Sequence, residues 1–180
     1  VADALHATDP AALVLNAPLD PYSPHTNDLP FINGFTYVDS ESFLDEMRAA
    51  VPDVFERLDG WASHPYPTGP LANGPWDQTY QIDRINGAVN TNAMTAVPGL
   101  FNRGINGYEW ELAKLETYGI TELEVWITET GWRHAESADP AASDNGRAWP
   151  TIDTMADWID LALNGNAGRY PQWPDTGWRP

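Results

Sequence analysis

Residues 123–132, with the sequence LEVWITETGW, constrain the fold of this chain more than any other segment. Leu123, Val125 and Ile127 alternate with polar or aromatic residues, which predicts a buried β-strand with one apolar face. The same alternation places Glu129 on that apolar face, immediately before a Thr-Gly pair that ends the strand. Burying an unpaired carboxylate costs several kcal/mol, so we expect Glu129 to be either paired structurally or positioned for chemistry.

Two earlier segments are predicted to be strands of the same sheet. Residues 11–17 form a short apolar run that Pro18 closes, which is typical of a parallel strand covered on both faces. Residues 59–64 form the next strand, whose end carries the sequence His-Pro-Tyr-Pro. His64 and Tyr66 are two positions apart, so they share a face in extended backbone.

Apolar residues at helical spacing lie around and between these strands. They predict helices at residues 1–9, 39–51, 108–119 and 151–164. The last of these helices has one apolar face, which is formed by Ile152, Met155, Ile159 and Leu163. Since strands and helices alternate along the chain, we expect an α/β fold, a parallel sheet with helices packed on it. Strand parity assigns Trp61 and Trp126 to the interface between sheet and helices.

The composition narrows the range of ligands. The 180 residues suffice for one domain, and an apolar content of 42% does not fit a disordered chain. The net charge of −17 argues against nucleic acid and anionic membranes as partners, because both require a basic surface. The absence of cysteine excludes disulfides, Cys-based zinc sites and a thiol nucleophile. An acidic surface rich in tryptophan suits a neutral polar ligand such as a sugar.

Polar residues stand at the end of each predicted strand. These residues are Asn16, then His64 with Tyr66, then Glu129. The carboxyl ends of parallel strands open onto one side of an α/β fold, where active sites lie, so we expect these side chains to meet. A Tyr hydroxyl or a His N–H that donates to Glu129 would favour the ionised carboxylate and fix its orientation, as a carboxylate nucleophile requires.

The sequence around Glu129, Ile-Thr-Glu-Thr-Gly-Trp, resembles the seventh-strand motif of the retaining glycoside hydrolases of clan A, which are (β/α)8 barrels. In that family the Glu of the motif is the nucleophile. The His-Pro-Tyr sequence at 64–66 resembles the end of the sixth strand, and residues 13–18 would be the fifth. The resemblance implies that residues 1–180 are a single partial glycoside hydrolase catalytic domain, a partial TIM (β/α)8 barrel of about three parallel β/α units.

The resemblance also implies the residues of a site. The expected catalytic residues are Glu129, His64 and Tyr66, and the expected substrate-binding residues are Trp132, Asn16 and Trp76. Neither a metal nor another cofactor is required. The expected partner is a carbohydrate substrate, with neither nucleic acid nor membrane involved.

One departure from the family concerns the second carboxyl group. Clan A enzymes carry an acid/base Glu after strand four, usually as Asn-Glu, and this chain has no Asn-Glu dipeptide. A retaining enzyme needs two carboxyl groups about 5–5.5 Å apart. We therefore expect the chain to hold roughly strands five to seven and to depend on the missing part of its own barrel. Alone it should be marginally stable, with Leu123, Val125 and Ile127 on an uncovered inner face.

Each of these assignments has an alternative. Glu129 could be a structural acid paired with Arg133 or another arginine, His64 a hydrogen-bonded core histidine, and Trp132 a cover for the strand end. The rival function is a non-catalytic carbohydrate-binding or structural protein derived from a barrel. A third possibility is an unrelated open α/β domain, in which the strand order would depart from the consecutive neighbours of a barrel.

Overall fold

The structure, a computed structural model, describes residues 1–19, 38–67, 74–75, 83–85, 88–90, 104–135, 143–144 and 147–164. Its α-helices in these ranges are α1 (Ala2–Thr8), α2 (Ser40–Ala50), α3 (Tyr108–Glu116) and α4 (Ile152–Asn164), with a 3-10 turn at Phe55–Arg57. The four predicted helices are confirmed. Asp39 caps α2, because its carboxylate accepts the backbone N–H of Ser42 at 2.9 Å.

The described strands form short pairs. They are β1 (Gly60–Ser63), β2 (Asp83–Ile85), β3 (Ala88–Asn90), β4 (Glu124–Ile127), β5 (Ser143–Asp144) and β6 (Arg147–Ala148). β1 and β4 pair in parallel, with Trp61 opposite Val125 and Ser63 opposite Ile127. β2 with β3, and β5 with β6, form antiparallel pairs. The β1–β4 pair, with α3 in the connection between its strands, positions the candidate site.

The predicted strand at residues 11–17 makes a single parallel bridge, between Leu15 and Gly60. Beside the bridge, Asp59 holds Val14 twice: its backbone N–H donates to Val14 O at 2.9 Å, and its Oδ2 accepts the Val14 N–H at 2.7 Å. The Asp59 carboxylate thus takes the place of the backbone acceptor that a longer parallel ladder would provide for the Val14 N–H. The spatial order is therefore the segment 11–17, then β1, then β4.

Gly60 allows these three segments to approach each other closely. A Cβ atom at this position would lie 2.9 Å from the backbone oxygen of Glu124 and 3.0 Å from the Leu15 side chain. The first separation, to a backbone atom, is shorter than normal Cβ contacts, and the second is tight, so glycine suits this close approach of the strands.

The main core lies between β1 and the helices α2 and α3. Trp61 is 1% exposed and packs edge-on against Phe55 with ring centroids 6.1 Å apart, which confirms its predicted place at the strand–helix interface. Lys114 of α3 pairs with Asp45 of α2 at 3.0 Å and ties these helices together. The buried cluster consists of Leu19, Leu44, Phe55, Trp61, Trp110 and Leu115.

The predicted place of Trp126 at the strand–helix interface is wrong. Trp126 is 41% exposed and stands opposite Ala62, on the other face of the sheet from Trp61. Val125 and Ile127, predicted for an uncovered inner face, instead pack against a second buried cluster formed by Ile105, Tyr108 and Ala162. The alternation along the strand correctly predicts that Val125 and Trp126 lie on opposite faces of the sheet. The packing of α3 and α4 decides which of these faces is covered.

Helix α4 also buries a different side from the one that its apolar pattern predicts. Ile152, Ile159 and Leu163 are all exposed, whereas Ala162 is buried. Three of the four residues of the predicted stripe are therefore largely exposed, and the fourth, Met155, is half-buried. In the described ranges, no helix is long and apolar enough to cross a membrane.

Candidate active site

The ends of β1 and β4 bring three predicted site residues together. The Tyr66 hydroxyl donates a hydrogen bond to Oε1 of Glu129. His64 Nε2 lies 3.8 Å from Oε2 of the same carboxylate, an approach that becomes an ion pair when the imidazole is protonated. The His64 and Tyr66 rings meet edge-on, with centroids 6.5 Å apart. One carboxylate is thus contacted by a hydroxyl and approached by an imidazole.

Backbone contacts beyond the strands fix this arrangement. The N–H of Thr128 donates to Ser63 O at 3.2 Å, which continues the parallel pairing past Ile127. The hydroxyl of Thr130 then donates to Pro65 O at 2.7 Å. These bonds hold the segments carrying Glu129 and Tyr66 side by side.

Gly131 turns the chain away from the sheet directly after the site. Its φ is +151°, a value that residues with a side chain rarely adopt, and a Cβ there would have open space around it. The requirement for glycine is therefore conformational rather than steric. It gives a structural reason for the Thr-Gly pair that follows Glu129.

The predicted burial of Glu129 on the apolar face of its strand is wrong. The Glu129 side chain is 58% exposed. β4 ends at Ile127, so the alternation that predicted a buried carboxylate does not extend to position 129. Glu129 therefore lies at the rim of the sheet, open to a ligand. Arg133, the alternative partner of Glu129, has its guanidinium carbon 5.5 Å from the centroid of the Trp149 ring.

Asn16 is used to hold the sheet. Its Oδ1 accepts the Ala62 N–H at 2.7 Å, and its Nδ2 donates to Ala62 O and Ala17 O, both at 3.0 Å. The side-chain amide thus bonds to the N–H and C=O of Ala62 as the backbone of a neighbouring strand would. Its Nδ2 group donates twice. The structure shows this structural role, and substrate binding by Asn16 stays a prediction.

Of the other two predicted substrate-binding residues, the structure describes only Trp132. Trp132 is half-buried, packs against the second cluster and lies 6.0 Å from the Trp158 ring of α4, at an angle of 49°. This packing fits its alternative role as a cover for the strand end. Trp76 lies outside the described residues.

Sequence reasoning missed a buried carboxyl group behind β1. Glu111 of α3 is 5% exposed and accepts a hydrogen bond of 2.7 Å from Trp61 Nε1. Burial raises the pKa of Glu111 to about 7, while Trp61 and the nearby Ser63 hydroxyl act in the opposite direction. Its helical spacing from Tyr108 and Leu115, both buried, was a signal that could have revealed it.

The described residues contain no group of three or more His, Cys, Asp or Glu side chains that could hold a metal ion. No protein-family model, curated protein sequence or solved structure matches the chain. Function is therefore argued from the arrangement of Tyr66, His64 and Glu129 and from the sequence around them.

Proposed function

We propose that this chain is part of a retaining glycoside hydrolase that cleaves O-glycosidic bonds of a poly- or oligosaccharide, with Glu129 as the nucleophile. The observation that carries the proposal is the hydrogen bond from the Tyr66 hydroxyl to the Glu129 carboxylate, with His64 beside it. The resemblance of the sequence around Glu129 to the clan A motif supports the same role.

Each contact has a task in this chemistry. The Tyr66 hydroxyl holds Oε1 and favours the charged form of Glu129, which leaves Oε2 to attack the anomeric carbon. The bond to the leaving oxygen breaks as the glycosyl ester forms. An acid/base outside this chain protonates that oxygen and then activates the water that hydrolyses the ester. The exposure of Glu129 leaves it accessible to a sugar.

The fold that we propose with this function is a partial (β/α)8 barrel. In support, the segment 11–17, β1 and β4 are neighbours in the order in which they occur along the chain. An unrelated open α/β sheet commonly reverses strand order at its ligand site. Under this proposal the partner of the chain is the remaining part of its own barrel.

The second candidate function is a non-catalytic carbohydrate-binding or structural protein derived from a barrel. The absence of an Asn-Glu dipeptide in the 180 residues favours this candidate. It predicts sugar binding without turnover, even when the sequence on either side in the gene is included.

Covalent labelling distinguishes these functions. The protein encoded by the intact gene would be incubated with a panel of 2-deoxy-2-fluoro glycosides that carry good leaving groups, then digested and analysed by mass spectrometry. The fluorine slows hydrolysis of the glycosyl ester, so the ester accumulates on the nucleophile. We expect the label on the peptide that contains Glu129, in proportion to the loss of activity.

Two variants sharpen this experiment. Glu129→Gln should remove labelling, because an amide is a poor nucleophile. Glu124→Gln is the matched control, since Glu124 is an exposed glutamate of β4, the strand that leads to Glu129, and its substitution should leave labelling unchanged. A label on another residue would contradict the assignment of Glu129, and sugar binding without label or turnover would favour the second candidate.

A further inference from the structure

A groove lies beside the amino-terminal end of β4, at the opposite end of this strand from Glu129. It is formed by one side of α3 and by the segment 120–123 that leads into β4, and its volume is about 450 Å³. The apolar part of its lining consists of Leu112, Ala113, Ile120 and Leu123. Leu112, Ile120 and Leu123 also pack against the main core, which therefore supports this apolar floor.

The polar part of the lining is acidic. Glu109, Glu116 and Glu122 line the groove together with Thr121, and among the residues that the structure describes neither a Lys nor an Arg lines it. Among the described residues, none of the three glutamates forms an ion pair. Glu109 accepts the Asn106 side-chain N–H, at 3.1 Å. The groove thus combines an apolar floor with three carboxylates, which form its rim in the proposal below.

The lysine of α3 does not neutralise this groove. Lys114 is 6% exposed and lies on another side of the helix, where it pairs with Asp45 at 3.0 Å and Glu41 at 3.6 Å. Its ammonium also lies 5.3 Å from the Tyr118 ring centroid. The basic charge of α3 therefore serves the contact with α2, and the opposite side of α3 keeps its carboxylates available.

From this charge and shape we propose that the groove is a docking site for a segment of a partner protein in which aliphatic side chains are flanked by Lys or Arg. The floor favours aliphatic side chains, because it removes them from water, and the rim favours cations. Like charge disfavours other occupants of this groove: a second copy carries the same net charge of −17, and anionic lipid or nucleic acid would meet the same carboxylates. The exposed sheet face that carries Trp126 is a separate surface.

A synthetic probe tests this inference on the purified chain. The probe is a fluorescein-labelled peptide of Leu and Lys arranged as one apolar and one basic helical face, and its comparison is a scrambled peptide of identical composition. Fluorescence anisotropy gives both affinities at low and moderate salt. We expect the patterned peptide to bind about tenfold more tightly than the scrambled one, because only the patterned peptide fills the floor while pairing with the rim.

Two pairs of substitutions separate docking from general attraction to an acidic protein. Glu116→Gln with Glu122→Gln removes two charges from the groove. Glu46→Gln with Glu56→Gln removes two exposed charges elsewhere, so both proteins have the same net charge. We expect the groove pair to weaken binding of the patterned peptide about tenfold and the control pair less than about twofold.

Ala113→Leu provides an independent test, because it fills the floor without changing charge, and leucine is a good helix former. Ala113→Leu should weaken binding of the patterned peptide by about the same factor as the groove pair does. It should leave binding of the scrambled peptide unchanged. Equal effects of the two charge pairs, or unchanged binding to Ala113→Leu with native circular dichroism, would overturn the proposal.

Discussion

Trp61 Nε1 donates a hydrogen bond of 2.7 Å to Oε2 of Glu111, within the core behind β1. The bond joins the strand that ends in the candidate site to helix α3. Because Glu111 is 5% exposed, its carboxyl group titrates inside the protein rather than at its surface. The free energy of unfolding should therefore vary with pH as Glu111 gains or loses its proton.

We expect the free energy of unfolding to fall between about pH 4.5 and about pH 7. Burial raises the pKa of Glu111 from 4.5 to about 7, so the folded protein holds this proton more tightly than the unfolded chain does. The stabilisation from this proton is fully present below pH 4.5 and decreases as the pH rises to about 7. Above pH 7 it does not change further. The loss amounts to about 3 kcal/mol. Urea denaturation at several pH values measures it.

Glu111→Gln tests this assignment, because glutamine keeps an acceptor for Trp61 and does not titrate. The variant should lose most of the pH dependence between pH 5 and 8 and exceed the wild type in stability at pH 8. Glu116→Gln, an exposed change on the same helix, should keep the wild-type dependence. The pKa values of Asp45 and Asp59 are lowered, so their contributions vary only at more acidic pH. Identical slopes for the wild type and Glu111→Gln would rule Glu111 out.

Under the proposed function, Glu129→Gln in the protein encoded by the intact gene should reduce glycoside hydrolysis by several orders of magnitude, because the covalent route is lost. Glu129→Gly should regain turnover of a substrate with a good leaving group when azide is added. Azide occupies the space of the lost carboxylate and attacks from its face, so NMR should identify a glycosyl azide of inverted configuration. An azide of retained configuration would instead make Glu129 the acid/base.

Asn16→Ala should loosen the edge of β1. The substitution removes the bonds that Asn16 makes to the N–H and C=O of Ala62, at a cost of about 1–3 kcal/mol. Hydrogen exchange followed by NMR should show faster exchange at the Ala62 amide. Asn164→Ala removes an exposed bond to Asp160 in α4 and serves as the control, with Ala62 exchange unchanged. Unaltered exchange in Asn16→Ala would show that Asn16 does not hold the edge.

The isolated chain should self-associate through the sheet face that carries Trp126. Leu13 is 64% and Trp126 41% exposed, and in the described part of the chain no strand pairs with the second edge of β4. Sedimentation velocity should show a larger monomer fraction for Trp126→Lys than for the wild type. Phe43→Lys changes a similarly exposed aromatic residue of α2 and should have little effect. A stable monomeric wild type would contradict this expectation.

The sequence alone determined the features that depend on local backbone geometry. Helix α2 begins after Asp39 because a carboxylate caps free N–H groups, and α3 is followed by Gly119, whose φ of +86° suits glycine. The meeting of Tyr66 with Glu129 also followed from sequence order, because adjacent parallel strands end at the same edge of a sheet.

Only the tertiary structure decided which face each pattern turns toward the core. Val125 lies on the covered face of β4 and Trp126 on the open one, because α3 and α4 pack over the Val125 side. Glu111 is buried and Glu129 exposed for the same reason: burial depends on segments distant in sequence. Periodicity is a local property that defines two faces of a strand or helix, whereas long-range packing selects the face that leaves water.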